Sequence, residues 1–388
     1  MSVVAPQGFR AVGVAAGLKA SGALDVALVV NDGPLDVAAG VFTSNRVVAA
    51  PVTWSRAVVA AGGVRAVVLN SGGANACTGA AGYADTVATA RATGEALGVP
   101  FERVAVASTG LIGERLPMPS LLAGVGSAAR RLAEGAAGPD GGVSAARAIM
   151  TTDTVPKLAV VHRGGFVVGG MAKGAGMLAP GLATMLAVVT TDARVDAAVL
   201  DRILRAVAAR TFDRIDSDGC MSTNDTVLLL ASGAGDTTVS ADELEAAVFA
   251  VASDLAGQLI ADAEGATKDI AIQVCHAATE ADAVEVARAI ARNNLVKCAV
   301  HGEDPNWGRV LAAVGTTRAR FEVDRLGVAM NDVWVVSDGA PSADRSSVDL
   351  SGRLVQIVVD LAAGDHAATV WTNDLTAAYV HENSAYAT

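Results

Sequence analysis

The stretch Gly169-Gly-Met-Ala-Lys173-Gly-Ala-Gly-Met-Leu-Ala-Pro-Gly-Leu-Ala183-Thr184-Met-Leu-Ala-Val-Val-Thr-Thr-Asp192 joins a glycine- and proline-rich loop to a β-prone run that Thr184 opens. A hydroxyl in this position suits an N-terminal nucleophile. Attack on the Ala183 carbonyl would give an ester, and hydrolysis of that ester would free the Thr184 amine to act as general base for its own hydroxyl. The alternative is an ordinary loop entering a core strand, with threonine present for its β-propensity.

Helical and β-prone segments alternate on both sides of this stretch. The helical segments are Ala84–Gly98, Asp196–Ala209, the run after the capping box Ser240-Ala-Asp-Glu243, and Glu280–Asn293. The β-prone runs are Arg65–Leu69, Val104–Ala107, Lys157–Val161, Phe166–Val168, Met185–Val189, Thr226–Leu230, Asp269–Val274 and Trp334–Val336. His162-Arg-Gly-Gly165 predicts a hairpin, and Asp304-Pro305 predicts a helix start with aspartate as N-cap. The alternation predicts an α/β or α+β layered fold.

Composition narrows the class of protein. The 388 residues include 29 basic and 40 acidic side chains, a net charge of −11, which argues against a nucleic-acid partner or a basic membrane-surface protein. Mean hydropathy is +0.42, but the longest uncharged windows are broken by glycine, asparagine, threonine or proline, so no membrane span is predicted. Met1–Ala20 lacks a basic start followed by an apolar run, so no signal peptide is expected. We expect a cytoplasmic protein.

Cysteine and histidine spacing predicts no metal site and no cofactor. The four cysteines show no CxxC pairing and are interpreted as buried free thiols of a reducing compartment: Cys77, Cys220, Cys275 and Cys298. The five histidines show no spacing typical of metal ligands.

Three further segments carry candidate functional groups. Ser108-Thr109-Gly110 follows a β-prone run and can supply two donors of an oxyanion hole, or be an ordinary turn. Met150-Thr-Thr-Asp-Thr154 clusters hydroxyls that suit either a cap or a substrate site. Glu264 lies near the end of the capped helix, where a carboxylate is disfavoured by the helix dipole; either a cation compensates it or it is a solvated surface residue.

Together these segments resemble the ornithine acetyltransferase family, N-terminal-nucleophile enzymes of arginine biosynthesis. The motifs that carry the resemblance span essentially the whole chain: Phe42-Thr-Ser-Asn-Arg46, Leu69-Asn-Ser-Gly-Gly-Ala-Asn-Ala-Cys-Thr78, Ser108-Thr-Gly-Leu-Ile-Gly113, Ala148-Ile-Met-Thr-Thr-Asp-Thr154, Lys173 to Thr184, Glu264-Gly265, Asp304 to Arg309 and Asn383-Ser-Ala-Tyr.

The resemblance implies a sandwich of sheets between helical layers and a proenzyme cut between Ala183 and Thr184. The α chain would be 1–183 and the β chain 184–388, assembled as a heterotetramer of two α and two β chains. Thr184 would be the nucleophile, with Thr109 and Gly110 as the oxyanion hole. Substrate contacts would come from Lys173, Thr184, Glu264, Asn383, Thr388 and one of Thr151 and Thr152. The family tail often has a hydroxyl where this chain has Ala387.

The family's reaction moves an acetyl group from N-acetylornithine to the nucleophile and then to glutamate, in a ping-pong cycle. Acetyl-CoA is a second donor in bifunctional members, and family prevalence favours that type. Two alternatives remain open: a self-processing hydrolase or aminopeptidase of similar type, and a non-enzymatic amino-acid-binding protein.

Overall fold

The computed structural model describes residues 2–135, 138–179, 185–235, 237 and 239–385, so the predicted site residues Ala183, Thr184 and Thr388 lie outside the described residues. The chain divides into two units. The first comprises Met1–Asp213 and Cys220–Asp262, and the second Arg214–Gly219 and Ala263–Ala387.

The first unit holds nine strands and six helices within the described residues. The strands are β1 (Phe9–Val14), β2 (Val26–Asn31), β3 (Val37–Phe42), β4 (Ala66–Asn70), β5 (Val104–Ser108), β6 (Lys157–Arg163), β7 (Phe166–Lys173), β8 (Leu186–Thr191) and β9 (Thr226–Ala231). The helices are α1 (Ala50–Ala60), α2 (Gly79–Leu97), α3 (Met118–Ala133), α4 (Pro139–Ile149), α5 (Ala197–Arg210) and α6 (Ala241–Ala261).

These strands form two sheets, ordered β1-β2-β4-β5 and β3-β9-β8-β7-β6. Their inner faces share one apolar core with α4, in which Val29 and Leu69 of one sheet and Val188 and Leu228 of the other are buried. Helices α2 and α3 cover the outer face of the four-stranded sheet, while α5 and α6 pack on the five-stranded sheet. The predicted sandwich of sheets between helical layers is therefore confirmed.

The two strands that flank residues 174–185, β7 and β8, are hydrogen-bonded neighbours. β7 pairs antiparallel with β8, with Lys173 opposite Leu186, and β8 pairs parallel with β9, with Leu186 opposite Thr226. The sequence run Phe166–Val168 predicts only the first part of β7, which continues through two glycines to Lys173. Gly170 accommodates α6, because a Cβ there would lie 2.9 Å from side-chain atoms of Leu255 and Val251.

The second unit is built on a six-stranded sheet ordered β13-β12-β11-β14-β10-β15. Its strands are β10 (Asp269–Ala277), β11 (Gly327–Met330), β12 (Val333–Ser337), β13 (Ala340–Pro341), β14 (Leu354–Asp360) and β15 (His366–Asn373). Its helices are α7 (Glu280–Ala291), α8 (Asn294–His301), α9 (Trp307–Val314) and α10 (Ala377–Ala385). One apolar core joins the sheet to the first three of these helices.

Two sequence-based predictions are wrong. Asp304 does not cap a helix: α9 begins at Trp307, and the Asp304 carboxylate instead accepts from the Asn306 side-chain amide at 2.9 Å, within a turn that precedes the helix. The cysteines are free thiols as predicted, but Cys77, Cys220 and Cys298 are exposed rather than buried.

The predicted capping box at Ser240 and Glu243 is confirmed at the start of α6. This helix is long and apolar enough to cross a membrane by length and composition alone. Its apolar side chains at Leu244, Val251 and Leu259 are buried in the first unit, and burial in a protein core accounts for such a composition.

Candidate active site

A buried lysine and a buried threonine meet in the first unit. Lys173 ends β7 and is 1% exposed, and its Nζ donates to Thr109 Oγ1 at 3.3 Å. Thr109 follows β5 directly and is 2% exposed. Its backbone N–H donates to the Asn70 carbonyl at 3.0 Å, so Thr109 can serve an oxyanion only through its hydroxyl. Because Lys173 uses a lone pair of that oxygen, the hydroxyl proton remains available to donate.

Gly110 has a conformation that only glycine readily adopts. Its φ is +126°, and a Cβ would lie 2.6 Å from the Gly73 nitrogen and 2.8 Å from the Gly72 carbonyl carbon. Within the described ranges no hydrogen bond uses the Gly110 N–H. The Thr109 hydroxyl and the Gly110 N–H are thus consecutive donors, the arrangement that an oxyanion hole requires.

Asp153 connects the segment of clustered hydroxyls to the loop that follows Lys173. Its Oδ1 accepts from Lys157 Nζ and from the Gly174 N–H, each at 2.6 Å, and its Oδ2 accepts from the Thr151 N–H at 2.9 Å. Burial alone would raise the pKa of Asp153, but the charges of Lys173 and Lys157 outweigh it and hold the pKa below its usual value. Asp153 is therefore an anion that fixes the beginning of the 174–184 segment.

Lys157 is fully buried between two carboxylates. Its Nζ lies 2.6 Å from Asp153 and 2.6 Å from Asp262, the residue that ends α6. Asp262 also accepts from the Thr154 N–H at 3.0 Å. The network therefore ties Thr154 and the strand that starts at Lys157 to the end of α6.

Asn224 and Asp225, the two residues before β9, bind backbone groups of other segments. Asn224 Nδ2 donates to the Ser108 carbonyl at 2.9 Å and to the Ala74 carbonyl at 2.6 Å. Asp225 is fully buried, and its Oδ1 accepts from the Met185 N–H at 3.1 Å. Burial raises the pKa of Asp225 well above its usual value, although the Met185 N–H and the charge of Lys173 oppose this.

In the second unit, Glu264 and Asn383 contact each other. Asn383 Nδ2 donates to Glu264 Oε2 at 2.9 Å and to the Tyr379 carbonyl at 3.0 Å. The carboxylate of Glu264 lines a cavity of about 70 Å³ together with Asp218 and Asp374. Arg292 and Lys297 line the same cavity, so its wall carries charges of both signs.

The same cavity is lined by a buried lysine. Lys297 Nζ donates to Thr372 Oγ1 at 3.1 Å and to the Ser217 carbonyl. Burial lowers its pKa to about 8, a shift that the carboxylates of Asp218, Asp216 and Asp374 oppose.

One group of potential metal ligands occurs within the described ranges. Cys275, His276 and Asp360 have donor atoms within 4.8 Å of one another in the second unit. Cys275 and Asp360 are partners on the parallel strands β10 and β14, and a β-bulge brings His276 beside them. His276 Nδ1 lies 2.8 Å from Asp360, so these two residues also form an ordinary ion pair when the histidine is protonated.

The structure thus brings together two pairs of the predicted site residues: Lys173 with Thr109, and Glu264 with Asn383. Thr151 and Thr152 are both half-buried, and the choice between them stays open. Sequence reasoning missed the supporting residues Lys157, Asp153, Asn224 and Asp225. The signal was available, since Ser222-Thr-Asn-Asp225 places four polar residues directly before an apolar strand.

A buried hydroxyl beside a backbone N–H is an arrangement that acyl-transfer chemistry can use, and the class of protein that it fits is an acyltransferase. Residues 10–388 match the ArgJ family, and the chain belongs to this family of arginine biosynthesis enzymes. The family predicted from the sequence motifs is therefore confirmed.

Relatives of this chain carry names in keeping with that assignment. The arginine biosynthesis bifunctional protein ArgJ of Streptomyces avermitilis is 64% identical over 386 residues, which cover 100% of both chains. The protein of the same name from Thermobifida fusca is 61% identical over 388 residues, again covering 100% of both. A solved chain of ornithine acetyltransferase from Mycobacterium tuberculosis, complexed with ornithine, is 58% identical; the match covers 48% of this chain and 96% of that chain, with a TM-score of 0.45.

Proposed function

We propose that Thr184 becomes the first residue of a separate chain and carries an acetyl group from N-acetylornithine to glutamate. The observation that supports this most directly is the buried contact between Lys173 and the Thr109 hydroxyl, at the end of the strand that precedes Thr184 in the chain. A cation beside an oxyanion donor suits a site that binds a carboxylate and reacts at a nearby carbonyl.

Self-cleavage would generate the nucleophile. The Thr184 hydroxyl attacks the Ala183 carbonyl carbon, the peptide C–N bond breaks, and the Thr184 nitrogen takes a proton. Water then hydrolyses the ester, which leaves a carboxylate on Ala183 and a free amine and hydroxyl on Thr184. Because β7 and β8 are paired along their length, chains 1–183 and 184–388 would remain joined through the five-stranded sheet after the cut.

The transfer reaction then proceeds in two halves. The Thr184 amine accepts the hydroxyl proton as the oxygen attacks the acetyl carbonyl of N-acetylornithine, and the oxyanion is held by the Thr109 hydroxyl and the Gly110 N–H. The C–N bond breaks and ornithine leaves with the proton. Glutamate's amine attacks the resulting ester, forming N-acetylglutamate and restoring the hydroxyl.

Both amino acids have an α-carboxylate, and Lys173 is the cation that would hold it. Glu264, oriented by Asn383, would accept the δ-ammonium of ornithine. Thr388 and one of Thr151 and Thr152 would complete the substrate contacts with Thr184 itself. In a ping-pong cycle the two substrates would use these groups one after the other.

Intact mass of the purified protein tests the self-cleavage. We expect two polypeptides, one ending at Ala183 and the other starting at Thr184, whose masses sum to that of the full chain plus one water. Thr184→Ala should remain one uncleaved and inactive chain, whereas Thr184→Ser, which retains a hydroxyl, should still cleave. A catalytically active preparation that is entirely uncleaved would contradict the proposal.

Product analysis separates the transferase from a hydrolase of the same type. Labelled acetyl from N-acetylornithine should appear on glutamate, whereas a hydrolase releases free acetate without needing glutamate. Acetyl-CoA in place of N-acetylornithine tests the second activity of a bifunctional member. We further propose a cytoplasmic heterotetramer of two α and two β chains, which light scattering after gel filtration would test by mass.

A further inference from the structure

Asn224 and Asp225 are adjacent in the chain but hold different strands. Asn224 binds the carbonyl of Ser108, the residue before Thr109, while Asp225 binds the N–H of Met185, the residue after Thr184. The dipeptide therefore links the strand end that carries the oxyanion donor to the strand start that follows the nucleophile. A displacement of Asn224 or Asp225 would change the register between that strand end and that strand start.

The hydrogen bond to Asp225 involves the peptide that Thr184 shares with Met185. The anchor on the Met185 N–H fixes the residue that follows Thr184 in the chain. The Met185 carbonyl is held as well, since it accepts from the Thr226 N–H at 3.1 Å. Both polar groups of Met185's backbone are thus fixed by the segment that starts β9.

The second oxygen of Asp225 is unusual. Oδ2 is buried and makes no hydrogen bond of regular geometry with the described residues. The hydroxyls of Thr43 and Ser222 oppose the rise in the pKa of the carboxyl, but burial outweighs them. A buried ionised carboxylate with an unpaired oxygen is costly, so the group is better held as a neutral acid. A neutral acid still accepts the Met185 N–H through its carbonyl oxygen, and it adds no negative charge that would raise the pKa of an amine nearby.

We propose that Asp225 is a positioning residue for the proposed nucleophile, acting through a neutral carboxyl that holds the N–H of Met185, the residue after Thr184 in the chain, while its neighbour Asn224 holds the carbonyl of Ser108. This inference rests on the proposed function and deepens it. The amine of Thr184 remains an effective base because the group that positions it is uncharged. Asp225 itself neither attacks the substrate nor carries the reacting proton.

Substitutions at Asp225 test the role of the neutral acceptor. Asp225→Asn keeps the shape and the carbonyl oxygen, and should cleave and transfer acetyl at close to the wild-type rate. Asp225→Ala and Asp225→Ser withdraw the acceptor from the Met185 N–H. In both, self-cleavage and the kcat of the cleaved fraction should fall by about 10²-fold, the cost of a displacement on the order of 1 Å. KM should change little, since no substrate contact is removed.

Asp192 offers a matched control at the other end of β8. It is also buried, and its carboxylate accepts from the Val167 N–H at 2.8 Å and the Gln7 N–H at 3.0 Å. Asp192→Ala should lower the unfolding temperature but leave cleavage and kcat near wild type. If loss of stability were the cause, cleavage and transfer would be slowed alike in Asp192→Ala and Asp225→Ala. Thermal unfolding of each variant identifies that case.

The outcomes distinguish a failure of the Asp225 inference from a failure of the proposed function. Loss of cleavage in Asp225→Asn as well as Asp225→Ala would overturn the inference, because it would show that an ionised carboxylate is needed. Full cleavage and kcat in Asp225→Ala would also overturn it. A wild-type protein that cleaves but does not transfer acetyl rejects the proposed substrates, while the cleavage rates still test Asp225. A wild-type chain that never cleaves rejects both.

Discussion

The ammonium of Lys173 lies 3.3 Å from the hydroxyl oxygen of Thr109, and both side chains are almost fully buried. The contact joins the end of one strand of the five-stranded sheet to the residue after a strand of the four-stranded sheet. A buried cation needs compensation, and the anion of Asp153 supplies part of it. A substrate carboxylate would supply more. In the proposed function, the pair would combine a carboxylate-binding group with a donor for the reacting carbonyl.

Lys173→Met should weaken substrate binding without loss of the fold. The methionine fills a similar volume and removes the charge, so KM for N-acetylornithine and for glutamate should both rise, by about 10-fold or more for one charged hydrogen bond. Initial-rate kinetics with each substrate varied in turn measure this. A selective effect on one substrate would contradict a site for the shared α-carboxylate.

Thr109→Val should act on kcat rather than on KM. Valine has the shape of threonine without its hydroxyl, and loss of one oxyanion donor costs about 10²–10³-fold in kcat. Thr109→Ser is the matched control, since it retains the donor and should stay within a few-fold of wild type. Equal kcat in the valine and serine variants would exclude the hydroxyl from the oxyanion hole.

Part of the fold could be predicted from local patterns. The capping box at Ser240, the amphipathic repeat that follows it and the β-branched runs each depend on neighbours in sequence, and each of these elements is found where the pattern places it. The prediction that Asp304 caps a helix is wrong because aspartate, proline and asparagine can each stand at the start of a helix. Which residue does so depends on the turn that precedes the helix.

Site residues could be predicted from the sequence only where the residue type, within a family motif, implied a chemical role. Thr109 and Lys173 could be proposed from family motifs, but that they touch depends on two sheets stacking face to face. Asn224 and Asp225 are marked in the sequence only as part of a polar run before an apolar strand, and the backbone groups of distant segments that they bind are visible only in the folded structure. Contacts of that kind depend on the folded arrangement and leave no periodicity in sequence.

Lys157→Met should destabilise the first unit strongly at neutral pH. Removal of the ammonium leaves Asp153 and Asp262 facing each other without a buried cation, a change that costs about 3–5 kcal/mol in comparable cases. Urea unfolding followed by circular dichroism measures the difference. Arg205→Met, which breaks an exposed pair with Asp201, is the control and should change the free energy by less than about 0.5 kcal/mol.

The cost of Lys157→Met should also depend on pH. The pKa of Asp153 is lowered in the folded protein, so its contribution to stability is present above the unfolded pKa and is lost as pH falls through the folded pKa. The difference between wild type and Lys157→Met should therefore shrink on acidification. A difference that stays constant from neutral to acidic pH would mean that the ion pairs do not supply the stability.

Lys297, in the second unit, provides a pH dependence of the same sign in a more alkaline window. Its pKa in the folded protein is about 8, below the value of about 10.4 in an unfolded chain. Between these two values the unfolded state binds more protons, so the free energy of unfolding should rise with pH in that window. Lys297→Met removes the titrating group, so the wild-type protein should gain on the order of 2 kcal/mol relative to the variant between about pH 7.5 and 10. Denaturant unfolding of both proteins across this range measures the gain, and the comparison cancels the titration of thiols and tyrosines that the two share. Parallel stability curves would show that Lys297 titrates at its ordinary pKa and that its burial beside Thr372 carries no penalty.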